Sequence, residues 1–307
     1  MADREAPRRS PPSPGELAVT SGGEPRRDLV LASQTLARSA TFAERIDAAA
    51  LAGFAGVGVS PRHRREAHAG GSTDADLRRL LERSGVAVVE LEVLRDWALR
   101  GDEGERARQA EEAVYELANA LGGEYVIAVG EIGDDLELVG RRFAAVCDRA
   151  EVHGLRVAIE FVPFTTIPDA SVAWEIVRRA DRENAGVLVD SWHYYRGTAD
   201  PAQIRSIPAD RIFAVQIDDA DQEVRGSLLD DTLHHRKLPG QGSFDLDGFV
   251  RLLDDHGVNR SWSVEVISDE MHALAPVEAA RRAAASTLEV LGSARGARDP
   301  ELPFTNC

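Results

Sequence analysis

Between Leu29 and Leu291, eight short apolar runs alternate with eight stretches of helical period, and little interrupts them. The apolar runs are Leu29–Leu36, Gly56–Ser60, Val86–Leu94, Tyr125–Val129, Arg156–Val162, Gly186–Asp190, Ile212–Ile217 and Ser261–Ile267. Helical period is found at Phe42–Ala52, Asp74–Arg83, Glu105–Leu121, Leu136–His153, Ala170–Ala180, Pro201–Ile207, Leu246–His256 and Pro276–Leu291. Strands this short and this apolar are buried on both faces, which requires a parallel sheet covered by helices. The punctuation agrees. Gly85, Gly122-Gly123, Gly154 and Gly257 stand where helices should stop, and Asp169 precedes one as a cap. Eight strand–helix units fit an α/β fold of the (β/α)8 TIM barrel type better than an open doubly wound sheet. Ser33-Gln34-Thr35 follows the first strand where a dinucleotide-binding fold would carry a glycine-rich loop.

The barrel is expected over residues 28–295, with a disordered tail rich in Pro, Ser, Gly, Glu and Arg at 1–27 and a short tail at 296–307. A formal net charge of −16 argues against nucleic acid or an anionic membrane surface as partner. No apolar run approaches the roughly 20 residues of a membrane span, and the first residues lack the apolar core of a secretory signal. Cys147 sits in a helical pattern and Cys307 ends the chain, so neither a disulfide framework nor a thiolate metal site is expected. A cytoplasmic location is the expectation. Lys237 is the only lysine, which restricts Schiff-base chemistry to one side chain.

The chemistry gathers in the second half. Four consecutive strands each present one oxygen-bearing side chain near their C-terminal end: Glu160, Asp190, Gln216 and Glu265. C-terminal strand ends converge on one face of such a barrel, and neighbouring strands lie about 4.8 Å apart. Four consecutive ends can therefore surround one ion. A single carboxylate there would read equally well as a helix cap; four in succession read as a divalent-metal site. Three carboxylates and an amide, without thiolate, favour Mn²⁺, with Mg²⁺, Co²⁺ or Zn²⁺ as alternatives. Glu160 and Glu265 would flank the ion as a pair of acid/base groups. A substrate chelated through a carbonyl and its neighbouring hydroxyl would lose a proton from the carbon between them, through a metal-stabilised enediolate.

His193, three residues after Asp190, is a candidate substrate donor or further ligand, against the alternative that it merely bonds a neighbouring carboxylate. Arg236, in the loop Leu233–Gly242, is a candidate for pairing with a ligand carboxylate or clamping a substrate oxygen. His234-His235 makes a poor second metal site, because adjacent residues rarely chelate one ion. Glu90 and Glu92 alternate on one strand and are expected inward or at the rim. Glu131, Arg62 and His63 follow strands without a specific signal.

At these residues the chain resembles the xylose isomerase-like barrels of the sugar phosphate isomerase/epimerase superfamily. The matching pieces are Ile159-Glu160-Phe161, Val189-Asp190-Ser191-Trp192-His193, Val215-Gln216-Ile217-Asp218, Leu238-Pro239-Gly240-Gln241-Gly242 and Ser263-Val264-Glu265-Val266. The resemblance implies a metal held at the positions of Glu160, Asp190, Gln216 and Glu265, with both glutamates as acid/base groups. It also implies substrate contact at His193 and a tendency to form dimers or tetramers. Many members carry histidine where Gln216 stands; hydroxypyruvate isomerase-like members carry glutamine. The expected activity is isomerisation or epimerisation of a small sugar or keto-polyol. The alternative is a lyase on the same scaffold, of the inosose or dehydroshikimate dehydratase type or cleaving an oxidised C-glycoside. The related DNA-repair endonucleases need a histidine-rich three-metal cluster and a basic surface, which this acidic chain lacks. A non-catalytic barrel would have no reason to keep all four ligand types.

Overall fold

The structure is a computed structural model that describes residues 29–130 and 135–296. The expected tails, apart from Gly296 at the end of the last helix, lie outside the described residues, as do Cys307 and Glu131. Eight parallel strands close into a barrel in sequence order. They are β1 (Leu29–Leu31), β2 (Gly56–Val59), β3 (Ala87–Leu94), β4 (Tyr125–Ala128), β5 (Arg156–Glu160), β6 (Ala185–Asp190), β7 (Ile212–Ile217) and β8 (Trp262–Val264). Closure runs through β1 and β8, where Leu29 pairs with Trp262 and Leu31 with Val264. The (β/α)8 TIM barrel read from the alternation is the observed fold.

Two cores follow from the two-residue period of a strand. Outward residues such as Val157, Ile159, Val187 and Val189 pack under the helices. Val30, Val89, Ile127, Ala158, Leu188 and Ala214 fill the interior. In the outer core Ile46, Leu117, Phe143 and Phe249 are at most 1% exposed, each burial contributing about 1.5–3 kcal/mol. Gly186 has to be glycine, because a Cβ there would enter the Phe213 ring that shares the interior.

This alternation positions the site. Ala158, Leu188 and Ala214 face inward, so Glu160, Asp190 and Gln216, two residues later on each strand, face inward at the rim. β3 departs from the rule. Val57 pairs with Val88 but Gly58 with Glu90, so Val89 is an extra residue and the strand bulges. The bulge resets the period, and Glu90 and Glu92 turn inward after an inward Val89.

The helices are α1 (Phe42–Ala52), α2 (Pro61–Ala69), α3 (Asp74–Ser84), α4 (Gly101–Leu121), α5 (Leu136–Glu151), α6 (Ala170–Ala180), α7 (Ser191–Arg196), α8 (Pro201–Ser206), α9 (Leu228–His234), α10 (Leu246–Asp255), α11 (Asp269–His272) and α12 (Pro276–Gly296). Asp169 caps α6 through the Val172 N–H, as expected. Four rim helices, the four-residue α11 among them, lie outside the expected helical stretches. α2 is too polar to show a period. α7 follows directly on β6, since Asp190 Oδ1 accepts the His193 N–H and starts a helix. α9 lies within what reads as a loop, Asp218–Gln241, and begins with a Ser227/Asp230 capping box. The first strand is also shorter than its apolar run: Ser33–Thr35 turns as a 3-10 helix. No described helix is long and apolar enough to cross a membrane.

Candidate active site

Glu160 ends β5, Asp190 ends β6, Gln216 lies one residue before the end of β7, and Glu265 directly follows β8. Asp190 and Gln216 are register partners on adjacent strands. One ligand atom from each of Glu160, Asp190 and His193 lies within 4.8 Å of the others, and His193 Nε2 is 3.1 Å from Glu160 Oε1. Among the described residues this is the one such group of His, Cys, Asp and Glu. Glu265 stands outside it and is joined to it through Arg236.

Arg236 follows α9 and is almost wholly buried. Its Nη1 reaches Asp218 Oδ2 at 2.6 Å, Asp190 Oδ2 at 3.0 Å and Glu265 Oε2 at 3.2 Å. Its other nitrogens donate to Thr232 Oγ1, and the guanidinium lies 5.5 Å from the Trp192 ring centroid. One cation therefore bridges two of the expected ligands, Asp190 and Glu265. Asp218, two residues after Gln216, has no role that the sequence alone makes legible. Its carboxylate accepts from both Ser191 Oγ and Arg236, and the only available signal was its two-residue spacing from Gln216. The loop that delivers Arg236 is held by Asp219, which accepts the N–H groups of Ala220, Gly240, Gly242 and Phe244.

The charges are unbalanced. Asp190, Asp218, Glu265 and Glu160 surround one arginine. Burial pushes Glu265 well above the usual carboxylate range; Arg236 opposes this, while Glu160 and Asp190 add to it. Burial and the Asp190 charge push Asp218 up in the same way, against Arg236. Burial also acts to raise Asp190, but Arg236 and His193 outweigh it and hold that carboxyl low.

A divalent cation fits this donor set on two counts. It would offset the excess negative charge, and it would supply a partner for Gln216 Oε1, a buried oxygen with no hydrogen bond. His193 Nδ1 is likewise buried without a partner. Glu160, Asp190 and His193 are the group that could hold an ion, with Gln216 in register beside Asp190.

Above them opens a cavity of about 280 Å³. Glu160, His193, Arg236, Glu265 and Glu92 line its polar side, and Val93, Ile127, Val162, Phe164, Leu229 and Ile267 its apolar walls. Glu92 is fixed by Ser33, whose N–H and hydroxyl donate to it at 2.8 and 2.5 Å. Gly58 makes room for it, since a Cβ there would lie 2.5 Å from Glu92 Oε1. Arg95 lines the same cavity. The remaining candidates lie elsewhere. His234 pairs with Asp269, Lys237 with Asp221, and Arg62 with Glu66. Cys147 is a buried thiol in the outer core.

A family model described as "Xylose isomerase-like TIM barrel" matches residues 46–291. The 3-dehydroshikimate dehydratase of Pseudomonas aeruginosa is 32% identical over 251 residues, covering 80% of this chain and 39% of that protein. The inosose isomerase of Bacillus licheniformis is 32% identical over 187 residues, covering 58% of this chain and 66% of that one. The chain thus spans about two fifths of the length of the dehydratases it matches. Among solved structures, a xylose isomerase-like TIM barrel/4-hydroxyphenylpyruvate dioxygenase fusion protein superposes with a TM-score of 0.79 at 26% identity, over 91% of this chain and 45% of that one. The zinc-bound IOLI protein superposes at 0.78 and 22% identity, over 87% and 98%, a likeness of fold.

Proposed function

We propose that this chain, which belongs to the xylose isomerase-like TIM barrel family, is a divalent-metal-dependent enzyme that removes a proton from the carbon next to a carbonyl in a small sugar or keto-polyol. The observation that carries the reading is the placement of Glu160 and Glu265. They stand at the ends of β5 and β8, line one cavity, and have Asp190 and His193 between them in the chain. Isomerases, epimerases and dehydratases all occur in this family, and all these reactions can begin with that proton transfer.

A cation bound by Glu160, Asp190, Gln216 and Glu265 would polarise the carbonyl and its neighbouring hydroxyl and make the C–H more acidic; Mn²⁺ suits three carboxylates and an amide. The protein's own groups do the rest. Glu160, the more accessible glutamate, takes the proton. Glu265, the second glutamate of the cavity, is the group that gives one back. His193 Nε2 lies within hydrogen-bond distance of Glu160 and orients it, or turns to a substrate oxygen. Arg236 holds Asp190 and Glu265 in place. The apolar walls exclude water from the exchanging proton.

A second reading, dehydration, is favoured by Arg95. It lines the cavity and, among the described residues, makes no hydrogen bond or ion pair. A guanidinium in that position suits a ring bearing a carboxylate, as 3-dehydroshikimate does, rather than a neutral inosose. The two outcomes diverge after the first step: the proton returns to carbon, or a β-hydroxyl leaves.

With Mn²⁺ restored, Glu160→Gln and Glu265→Gln are each expected to lower kcat by about 10²–10⁴-fold. Unchanged turnover in both removes the two-base reading. Incubation with 3-dehydroshikimate and with an inosose in D₂O separates the outcomes, by loss of one water mass or by deuterium at carbon without loss of mass.

A further inference from the structure

One layer below the strand ends, Glu90 of β3 receives three hydrogen bonds from three other strands. Tyr125 Oη of β4 donates to its Oε2 at 2.8 Å. Ser263 Oγ of β8 donates to its Oε1 at 2.8 Å. Gln216 Nε2 of β7 donates to its Oε2 at 3.4 Å. All four side chains are buried, so this network ties the two halves of the barrel together through its interior.

The three donors differ in one respect. The hydroxyls of Tyr125 and Ser263 can accept as well as donate, so they are satisfied by a carboxyl in any state. The Gln216 amide nitrogen can only donate, and among the described residues its one hydrogen-bond acceptor is Glu90. An amide's nitrogen and oxygen diverge from a single carbon. Anchoring the nitrogen to Glu90 therefore fixes where the oxygen points, which is away from Glu90. That oxygen is the buried atom without a partner, on a residue in register with Asp190. Left so, it costs about 1–3 kcal/mol.

We propose that Glu90 is a positioning residue for the ion site: by holding Gln216 Nε2 it sets the amide with Oε1, not the NH2 group, as the atom presented to the cation. This rests on the metal reading above. It also gives a physical reason for glutamine at this position, because an isosteric glutamate would set a second carboxylate against Glu90. Without Glu90 the amide can turn over at little cost, and the flipped form offers a donor that repels a cation. Partners of metal ligands commonly contribute 10–100-fold in affinity.

The test uses the full chain with two readouts, the side-chain amide signal of ¹⁵N-labelled Gln216 without metal and the Mn²⁺ dissociation constant. Glu90→Met alone would strand two hydroxyls. The triple variant Glu90→Met/Tyr125→Phe/Ser263→Ala removes them and is expected to melt within a few degrees of the parent. In it the Gln216 amide should shift to the position of a free amide, and the Mn²⁺ dissociation constant should rise about 10–100-fold. Glu90→Gln, which keeps an acceptor oxygen, should restore most of the affinity. If the parent and the folded triple variant bind Mn²⁺ equally tightly, or the amide signal does not move, the proposal is overturned while the metal site stands. If the parent itself takes up no Mn²⁺, the metal reading fails and the proposal falls with it.

Discussion

The rim built by β5–β8 and the rim built by β1–β4 handle buried polarity in opposite ways. On the first, Asp190, Asp218 and Glu265 share one buried arginine, Glu160 meets His193, and two polar atoms, Gln216 Oε1 and His193 Nδ1, stay without partners. On the second, the partners of Glu92, Arg45 and His63 are local, and Trp97 Nε1 after β3 is left without one. Glu92 is held by the Ser33 N–H and hydroxyl. Arg45, also buried, donates to the carbonyls of Ser33, Ala37 and Ala40 and brings no carboxylate with it. His63 accepts the Ser60 N–H through Nδ1 at 3.1 Å; burial, together with Arg45 and Arg62, pushes its pKa down to about 3. The contrast shows where this fold leaves interactions open for a ligand. Satisfied groups such as Glu92 shape the cavity, and Gln216 Oε1 and His193 Nδ1 mark where an ion and a substrate would complete the structure.

The largest expected effect breaks the charged rim. Arg236→Met would leave three carboxylates without their cation and destabilise the metal-free chain by about 3–5 kcal/mol, read by urea denaturation. Mn²⁺ should recover much of that loss, because a cation again faces the carboxylates. Arg45→Met is the counterpart on the other rim; its loss should be the same with and without Mn²⁺. Equal rescue of both variants would erase the distinction between the rims.

A smaller effect concerns protonation of the β1–β4 rim. The folded pKa of His63 lies below its unfolded value of about 6.5, so the neutral ring stabilises the fold above that pH. The stabilisation is lost as pH falls from about 6.5 towards 3, on the order of 3 kcal/mol by pH 4. His63→Gln can still accept the Ser60 N–H and should flatten the stability profile over that window. An unchanged profile would place the acid sensitivity elsewhere.

The smallest effect sharpens the substrate side. Arg95→Gln should raise KM about tenfold for a carboxylate-bearing ring, close to 1.4 kcal/mol, and leave a neutral cyclic polyol unaffected. A change in kcat with constant KM would instead tie Arg95 to the chemical step.

Much of this molecule is legible in the chain because short-range periodicity carries it. Apolar runs such as Val187-Leu188-Val189 can only be buried strands, and the glycines between elements stop the helices, so the barrel follows. The same two-residue period sends Glu160, Asp190 and Gln216 to the interior at one rim. What eluded sequence reading lacks a periodic signal. α9 is seven residues long and polar, and α7 begins because a rim carboxylate caps it instead of continuing a strand. The bulge at Val89 that turns Glu90 inward is a matter of pairing with β2, not of β3 alone.

The sequence by itself therefore determined the barrel and the four oxygen-bearing strand ends, since both depend on patterns within a few residues. Only the tertiary structure decided that Arg236 bridges Asp190, Asp218 and Glu265, that His193 meets Glu160, and that Glu90 holds Gln216. These contacts join residues from 18 to 126 positions apart. Their partners are chosen by barrel closure and by the cost of leaving buried charge unpaired, and neither can be read along a strand.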